Sequence, residues 1–402
     1  MRSAAGNRNS VAGMRWRRIS SAVVAGTVLV MGAAAASWAQ GQTYAKKVIY
    51  SFAGGSDGAD PLAGLVRDAA SNLYGTTYAG GDYGSGTVFK LDTTGKEAVL
   101  HSFSGGPDGG YPYAGLILDA AGNLYGTADA GGAHNYGVVF EVPAGGAEGV
   151  LYSFTGTGGD GADPLAGLVR DAAGNLYGTT ASGGASGLGT VFKVSAGGAE
   201  TVLHSFTGGS DGEYPEAGLV QDGVGNLYGT TFAGGASGFG TVFKIDAQGN
   251  ETVLYSFRGG ADGEYPSAGL VRDAAGNLYG TTNSGGSSGG GIVFKISSAG
   301  KETVLHSFKG GKDGEYPYAS VIRDAAGNLY GTTYGGGASG WGTVFEIDPT
   351  GKETVLYSIA GAADGASPEG GLVQDTAGHL YGTTKYGGAF GAGTVFELSP
   401  AR

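Results

Sequence analysis

Cysteine is absent from the 402 residues, which excludes disulfides, thiolate nucleophiles and cysteine-ligated metal centres and leaves packing to hold the fold together. Charge is also scarce. Only 14% of the residues are Asp, Glu, Lys or Arg, and five histidines leave little material for acid–base chemistry. No window carries apolar residues at i, i+3, i+4 and i+7 through three turns, so amphipathic helices are not expected. Basic surface is missing as well. The formal charge is −12 although the first 39 residues hold five arginines and no acid, so loss of that segment takes it to −17, a surface that disfavours nucleic acid as a partner. What the chain has in quantity is glycine and tyrosine, 86 and 23 residues, with 41% hydrophobic residues and no Gly-X-Y triplet. Collagen is thereby excluded, and enough apolar material remains for a β core.

The N-terminus reads as a targeting segment. Arg15, Arg17 and Arg18 precede an apolar, alanine-rich stretch from Ile19 to Ala36, and Ser37-Trp38-Ala39 supplies a small-residue cleavage site. A secretory signal peptide is predicted over 1–39, cleaved near Ala39, followed by a short leader over 40–45 and one folded domain over 46–402. The alternative is a retained N-terminal anchor, because the apolar stretch approaches the minimum for crossing a bilayer. No membrane span is expected in the mature chain.

Internal repetition dominates the rest. The marker Asn-Leu-Tyr-Gly, with His for Asn in the last copy, places tyrosine at positions 74, 125, 177, 228, 279, 330 and 381, at intervals of 51 or 52 residues. In the clearest copy, Ala268-Gly269-Leu270-Val271 is followed by an Asp-Ala-Ala-Gly turn and Asn277-Leu278-Tyr279-Gly280-Thr281-Thr282. A Gly/Ser loop leads to Ile292-Val293-Phe294-Lys295-Ile296, and a short turn to Glu302-Thr303-Val304-Leu305-His306-Ser307-Phe308. Each apolar run is short, β-branched or aromatic and bounded by Gly, Asp, Asn or Pro, so four strands per copy are predicted.

Four strands repeated seven times suit an all-β, seven-bladed β-propeller with four-stranded blades. The ends of the repeat region argue for a ring over a solenoid. It opens with Lys47-Val48-Ile49-Tyr50-Ser51-Phe52, a lone fourth strand, and closes with Gly393-Thr394-Val395-Phe396-Glu397-Leu398, a third strand without its fourth. Pairing of the N-terminal strand with the last blade completes that blade. From the axis outward, the order is Ala-Gly-Leu-Val, Asn-Leu-Tyr-Gly, Gly-Thr-Val-Phe and Thr-Val-Leu-Tyr. Phe89 and Leu91 are then expected to face one neighbouring blade and Val88 the other.

The Gly-Thr-Val-Phe, Leu-Tyr-Ser-Phe and Asn-Leu-Tyr-Gly-Thr-Thr elements resemble the GloVer-type tandem repeats of exported bacterial proteins with a C-terminal choice of anchor. The resemblance spans roughly residues 46 to 398, with small departures such as Ala128 for the second threonine and Ile359 for the phenylalanine. The Asp-x-x-Gly-Asn-Leu-Tyr portion is also similar to NHL-like bacterial propeller repeats. The resemblance implies export from a Gram-negative bacterium, secreted or periplasmic, and a propeller architecture, but no reaction. Arg402 follows directly on the last strand without a sorting signal, which favours release over surface anchoring.

Chemistry is hard to find in the pattern. His101, His204 and His306 alternate with Tyr50, Tyr152, Tyr255 and Tyr357 at one outer-strand position and are separated by whole blades, so they do not converge on one another. The Gly-x-Ser-x-Gly patterns at Gly54–Gly58 and Gly286–Gly290 lack a following helix and read as turns. No catalytic residue is assigned, and a metal site is not expected; the one cofactor considered is Ca²⁺, at the acidic ring formed by Asp57, Asp108, Asp160, Asp211, Asp262, Asp313 and Asp364.

Copies four to six extend that ring to Asp-Gly-Glu-Tyr-Pro, adding Glu213, Glu264, Glu315, Tyr214, Tyr265 and Tyr316 on the long-loop face. Phe232, Phe239, Tyr334 and Trp341 fall on the same face. These acids and aromatics are the predicted ligand site, suited to a neutral or cationic ligand such as an extracellular glycan, or to a surface protein. The function expected is an exported, monomeric, non-catalytic binding scaffold. The alternative is an extracellular carbohydrate-active hydrolase or lyase on the same scaffold.

Overall fold

The computed structural model describes residues 44–401. Seven four-stranded antiparallel sheets follow one another, and among the described residues the only helical turns are 3₁₀ turns such as Gly209–Asp211 and Gly260–Asp262. Blade one contains Val66–Arg67, Leu73–Thr77, Thr87–Leu91 and Glu97–Ser102, in that order from the axis outward. The innermost strand pairs over two residues only. Its Ala-Gly start instead lies along the axis, where backbones of successive blades come together: a Cβ on Gly115 would sit 3.0 Å from the Gly64 carbonyl, and one on Gly64 2.9 Å from that of Gly371. Side chains are excluded there by neighbouring backbone.

Closure follows the predicted offset. Tyr44–Ser51 pairs antiparallel with Thr394–Pro400 as the outer strand of blade seven, with Tyr44 opposite Pro400 and Ser51 opposite Thr394. The strand thus begins two residues inside the stretch read as a leader. The predicted signal peptide lies outside the described residues. No helix among the described residues is long and apolar enough to cross a membrane.

The core lies between blades. Val88 packs with Phe140 and Val142 of blade two, whereas Phe89 and Leu91 pack with Val395 of blade seven, as strand alternation requires. The phenylalanine ending each Leu-Tyr-Ser-Phe element is fully buried and meets the next blade's third-strand phenylalanine edge to face. The pairs Phe52–Phe89 and Phe308–Phe345 both have centroids 5.1 Å apart. A second tie repeats beside it. The first threonine of each second strand donates to a backbone carbonyl of the next blade, as Thr76 Oγ1 does to Ala114 at 3.0 Å and Thr230 to Ala268 at 3.3 Å.

Each Asn-Leu-Tyr-Gly hairpin is held by its aspartate. Asp68 accepts from the Asn72 amide nitrogen at 2.8 Å, from Asn72 Nδ2 at 2.7 Å and from the Tyr74 hydroxyl at 3.0 Å. Burial alone raises such a carboxyl's pKa, but these donors outweigh it and hold Asp68 below the usual carboxylate range. The structural reading of these aspartates agrees with those bonds.

Candidate ligand face at the axial mouth

The long loops gather on one face, and their conformation is unusual at one repeated position. The residue preceding each loop proline has positive φ: Asp60, Tyr111, Asp163, Tyr214, Tyr265, Tyr316 and Ser367 lie between 53° and 59°. For residues bearing a side chain, and before proline, this backbone costs energy and persists only where the surroundings impose it. Both backbone groups supply that constraint. The Tyr265 amide donates to the Phe239 carbonyl of the preceding blade at 3.0 Å, and its carbonyl accepts from Asn283 at 3.3 Å. The Tyr214 amide likewise donates to Leu188, and the Ser367 amide to Trp341, both at 2.9 Å. The loops are therefore locked blade to blade into a preorganised surface.

Two positions beside this lock vary among the copies. The residue after the proline is Leu62, Tyr113, Leu165, Glu216, Ser267, Tyr318 and Glu369 in turn, and the residue after the paired threonines is Tyr78, Asp129, Ala181, Phe232, Asn283, Tyr334 and Lys385, with Ala128 as the second of that pair in blade two. Contacts link them around the axis. Lys385 Nζ lies 3.0 Å from Glu369, Tyr318 meets Tyr334 edge to face at 5.6 Å, and Tyr78 lies 5.3 Å from Tyr111 and 6.2 Å from Tyr113. Packing pushes the Tyr113 phenol up to about 12, helped by the Glu369 charge and a smaller contribution from Glu216, although 42% of its surface is open. Burial raises the Glu216 carboxyl to about 6, and burial with the Asp163 charge does the same for Asp129. Side chains from blades two, four, six and seven thus share one axial mouth rich in tyrosine and carboxyl groups.

The residues predicted from sequence distribute more widely. Phe232, Phe239 and Tyr265 form one patch, with Tyr265 stacked on Phe232 at 5.0 Å and edge-on to Phe239 at 5.8 Å. Tyr334 turns to Tyr318 in the axial mouth. Trp341 is 47% exposed and covers Gly361, where a Cβ would lie 2.5 Å from its indole nitrogen. Glu264 accepts from the Gly260 amide at 2.8 Å; Glu213 and Glu315 sit in backbone bridges with Ala233 and Gly335. Tyr214 and Tyr316 are exposed.

The Asp-Gly carboxylates are engaged within their own connections. Asp57 accepts from the Ala53 amide at 2.7 Å and the Tyr50 hydroxyl at 3.0 Å, Asp262 from the Arg258 amide at 2.7 Å and the Tyr255 hydroxyl at 2.5 Å, and Asp211 and Asp313 lie 3.3 Å from His204 and His306. Sequence reading missed Tyr113, Glu216, Tyr318, Glu369 and Lys385. The signal available was their departure from the repeat next to a proline present in every copy and a threonine pair kept in all copies but the second.

On the opposite face, a groove of about 660 Å³ between blades three and four is lined by Asp171, Tyr177, Lys193, Asp222 and Asp246. Its aspartates already hold the hairpin turns.

Solved structures resemble the fold at low identity. Virginiamycin B lyase from Staphylococcus aureus is 12% identical with a TM-score of 0.59, over 89% of this chain and 98% of that one. The extracellular domain of a candidate hybrid two-component system from B. thetaiotaomicron is also 12% identical with a TM-score of 0.59, over 89% of this chain and 39% of that one. A candidate 6-phosphogluconolactonase from Bacteroides uniformis is 17% identical with a TM-score of 0.53, over 77% and 88%. No curated protein matches by sequence. Residues 37–224, 120–290 and 269–402 each match the Gloeobacter/Verrucomicrobia repeat, and the chain belongs to that family.

Proposed function

We propose that this repeat scaffold is an exported binding protein that takes a neutral or weakly cationic polyhydroxyl ligand, a glycan, on its long-loop face. The observation that carries the reading is the axial mouth. Within the repeated ring, two variable positions beside the loop proline and the threonine pair supply Tyr78, Tyr113, Tyr318 and Tyr334 beside Asp129, Glu216 and Glu369. Aromatic faces stack on the apolar faces of sugar rings, carboxyl groups bind hydroxyls, and the net negative charge repels anionic ligands. The rim patch of Phe232, Phe239 and Tyr265, with Trp341 beyond it, extends the same face for a longer chain.

A second reading is catalytic. Asp129 and Glu216, both held near 6, are suited to exchanging protons with a sugar hydroxyl or leaving group, as a carbohydrate-active enzyme requires. The resemblance to the Staphylococcus aureus lyase is one of fold and does not favour it.

Binding of the purified chain to a glycan array, followed by calorimetry on the hits and a product assay, tests both readings. Tyr113→Ala with Tyr318→Ala is expected to weaken binding at least about tenfold with little change in melting temperature, as for loss of stacking contacts. Binding that survives this pair but fails with Trp341→Ala and Glu264→Gln moves the site to the rim. Absence of any glycan hit overturns the proposal, and turnover abolished by Glu216→Gln favours the enzyme.

A further inference from the structure

Each of the seven blade junctions brings together three side chains from fixed repeat positions. One is the outer-strand Tyr or His, the second the aspartate of the Asp-Gly connection, and the third a residue at the start of the next blade's outer strand, position 148 directly preceding its strand and position 46 lying two residues inside its own. At six junctions that third residue is a glutamate: 97, 148, 200, 251, 302 or 353. Each has one carboxylate oxygen out of reach of water and without a hydrogen-bond partner. Two carboxylates confined together in this way call for a proton or a cation between them.

At the closing junction the cation is built in. Lys46 lies opposite Leu398, the register that Glu97 holds opposite Leu91. Its side chain is only 1% exposed, and its ammonium is 2.9 Å from Asp364 and 5.6 Å from the centre of the Tyr357 ring. Three of the other junctions offer an imidazole. At one of them the ligating atoms of His306, Asp313 and Glu353 all lie within 4.8 Å of one another, with His306 Nε2 3.3 Å from Asp313. His101 and His204 hold the same 3.3 Å distance to Asp108 and Asp211.

We propose that the His306 junction binds one divalent transition-metal ion of the zinc type, held by an imidazole nitrogen and two carboxylates and bridging adjacent blades; among the described residues it is the junction whose three ligands come this close together. Nitrogen with oxygen donors suits zinc, with bonds of about 2.0–2.2 Å and a fourth position for water, so the side chains close by roughly 1 Å around the ion. Asp313 keeps the Lys309 amide on one oxygen at 2.7 Å, which orients the carboxylate from behind. Calcium, which prefers about six to eight oxygen ligands, is a poor match for an imidazole site. The tyrosine junctions are poorer in ligands, since the phenol of Tyr152 already donates to Asp160 at 3.0 Å.

The purified chain, stripped with a chelator and titrated with Zn²⁺ near pH 7.5, is expected to bind about one equivalent, to give d–d absorption with Co²⁺, and to melt higher with metal. His306→Tyr installs the residue that four other copies carry, so metal-free melting should be unchanged while the equivalent is lost; His101→Tyr and His204→Tyr should leave it in place. Glu353→Gln should weaken binding about tenfold. Absence of Zn²⁺ binding at micromolar metal, or an equivalent retained in the His306→Tyr variant, overturns the proposal. So does a response to Ca²⁺ that the His306→Tyr variant retains, because it marks an all-oxygen site.

Discussion

The Thr383 hydroxyl of the last blade donates to the Ala63 carbonyl of the first at 2.9 Å, joining residues 320 apart in sequence by the same bond that Thr76 makes to Ala114. The ring therefore closes with an interface of the same kind as the other six.

Removing 44–52 should undo that equivalence. Blade seven would lose its outer strand and expose an unpaired edge, and Phe89 would lose the ring of Phe52. The expected outcome is loss of a single cooperative melt and appearance of higher oligomers on gel filtration. A truncated chain that melts and elutes like the intact one contradicts closure by this strand.

Gly280 should not tolerate a methyl group. A Cβ there would lie 2.7 Å from the Phe294 ring and 2.9 Å from Leu270. Gly280→Ala is expected to destabilise by about 1–3 kcal/mol, as overpacked cores do, measurable by urea denaturation. Gly289→Ala has open space but a φ of 80°, and should act through backbone strain alone.

Stability should fall as pH rises through neutrality in the metal-free chain. The six junction glutamates are raised from 4.5 to about 7, so the folded state holds their protons more tightly than the unfolded one. That contribution is fully present below about 4.5 and is lost on passing through 7. Burial lowers His101, His204 and His306, and these act in the opposite sense, adding stability above 6.5; three histidines oppose six glutamates. The melting temperature is expected to be higher at pH 5 than at pH 8. Glu200→Gln with Glu302→Gln should flatten the profile, and a flat profile in the parent chain would contradict the junction electrostatics.

Millimolar Ca²⁺ is expected to leave the melting temperature unchanged, because the Asp-Gly carboxylates already accept backbone amides and tyrosine hydroxyls. A saturable rise would assign the acidic ring to cation binding.

Repeat length, strand number and closure were legible in the residues, because each follows from local chemistry. Alternating β-branched and aromatic runs specify strands, Asp-Ala-Ala-Gly-Asn specifies a hairpin, and a fourth strand displaced to the N-terminus leaves closure as the way to complete the last blade. The joint presence of Phe232, Phe239 and Tyr265 on one face also follows from their loop positions. Other relations required the ring. Tyr113, Glu216, Tyr318 and Glu369 are dispersed across more than 250 residues and meet only because seven inward loops share one axis. The junction triads are equally hidden, since Asp313 and Glu353 face each other only when one blade packs on the next. Local sequence determines each blade through backbone and side-chain preferences that act within a few residues. Which blades present their variable side chains to one another is decided by closure, which turns a linear order into a circular one.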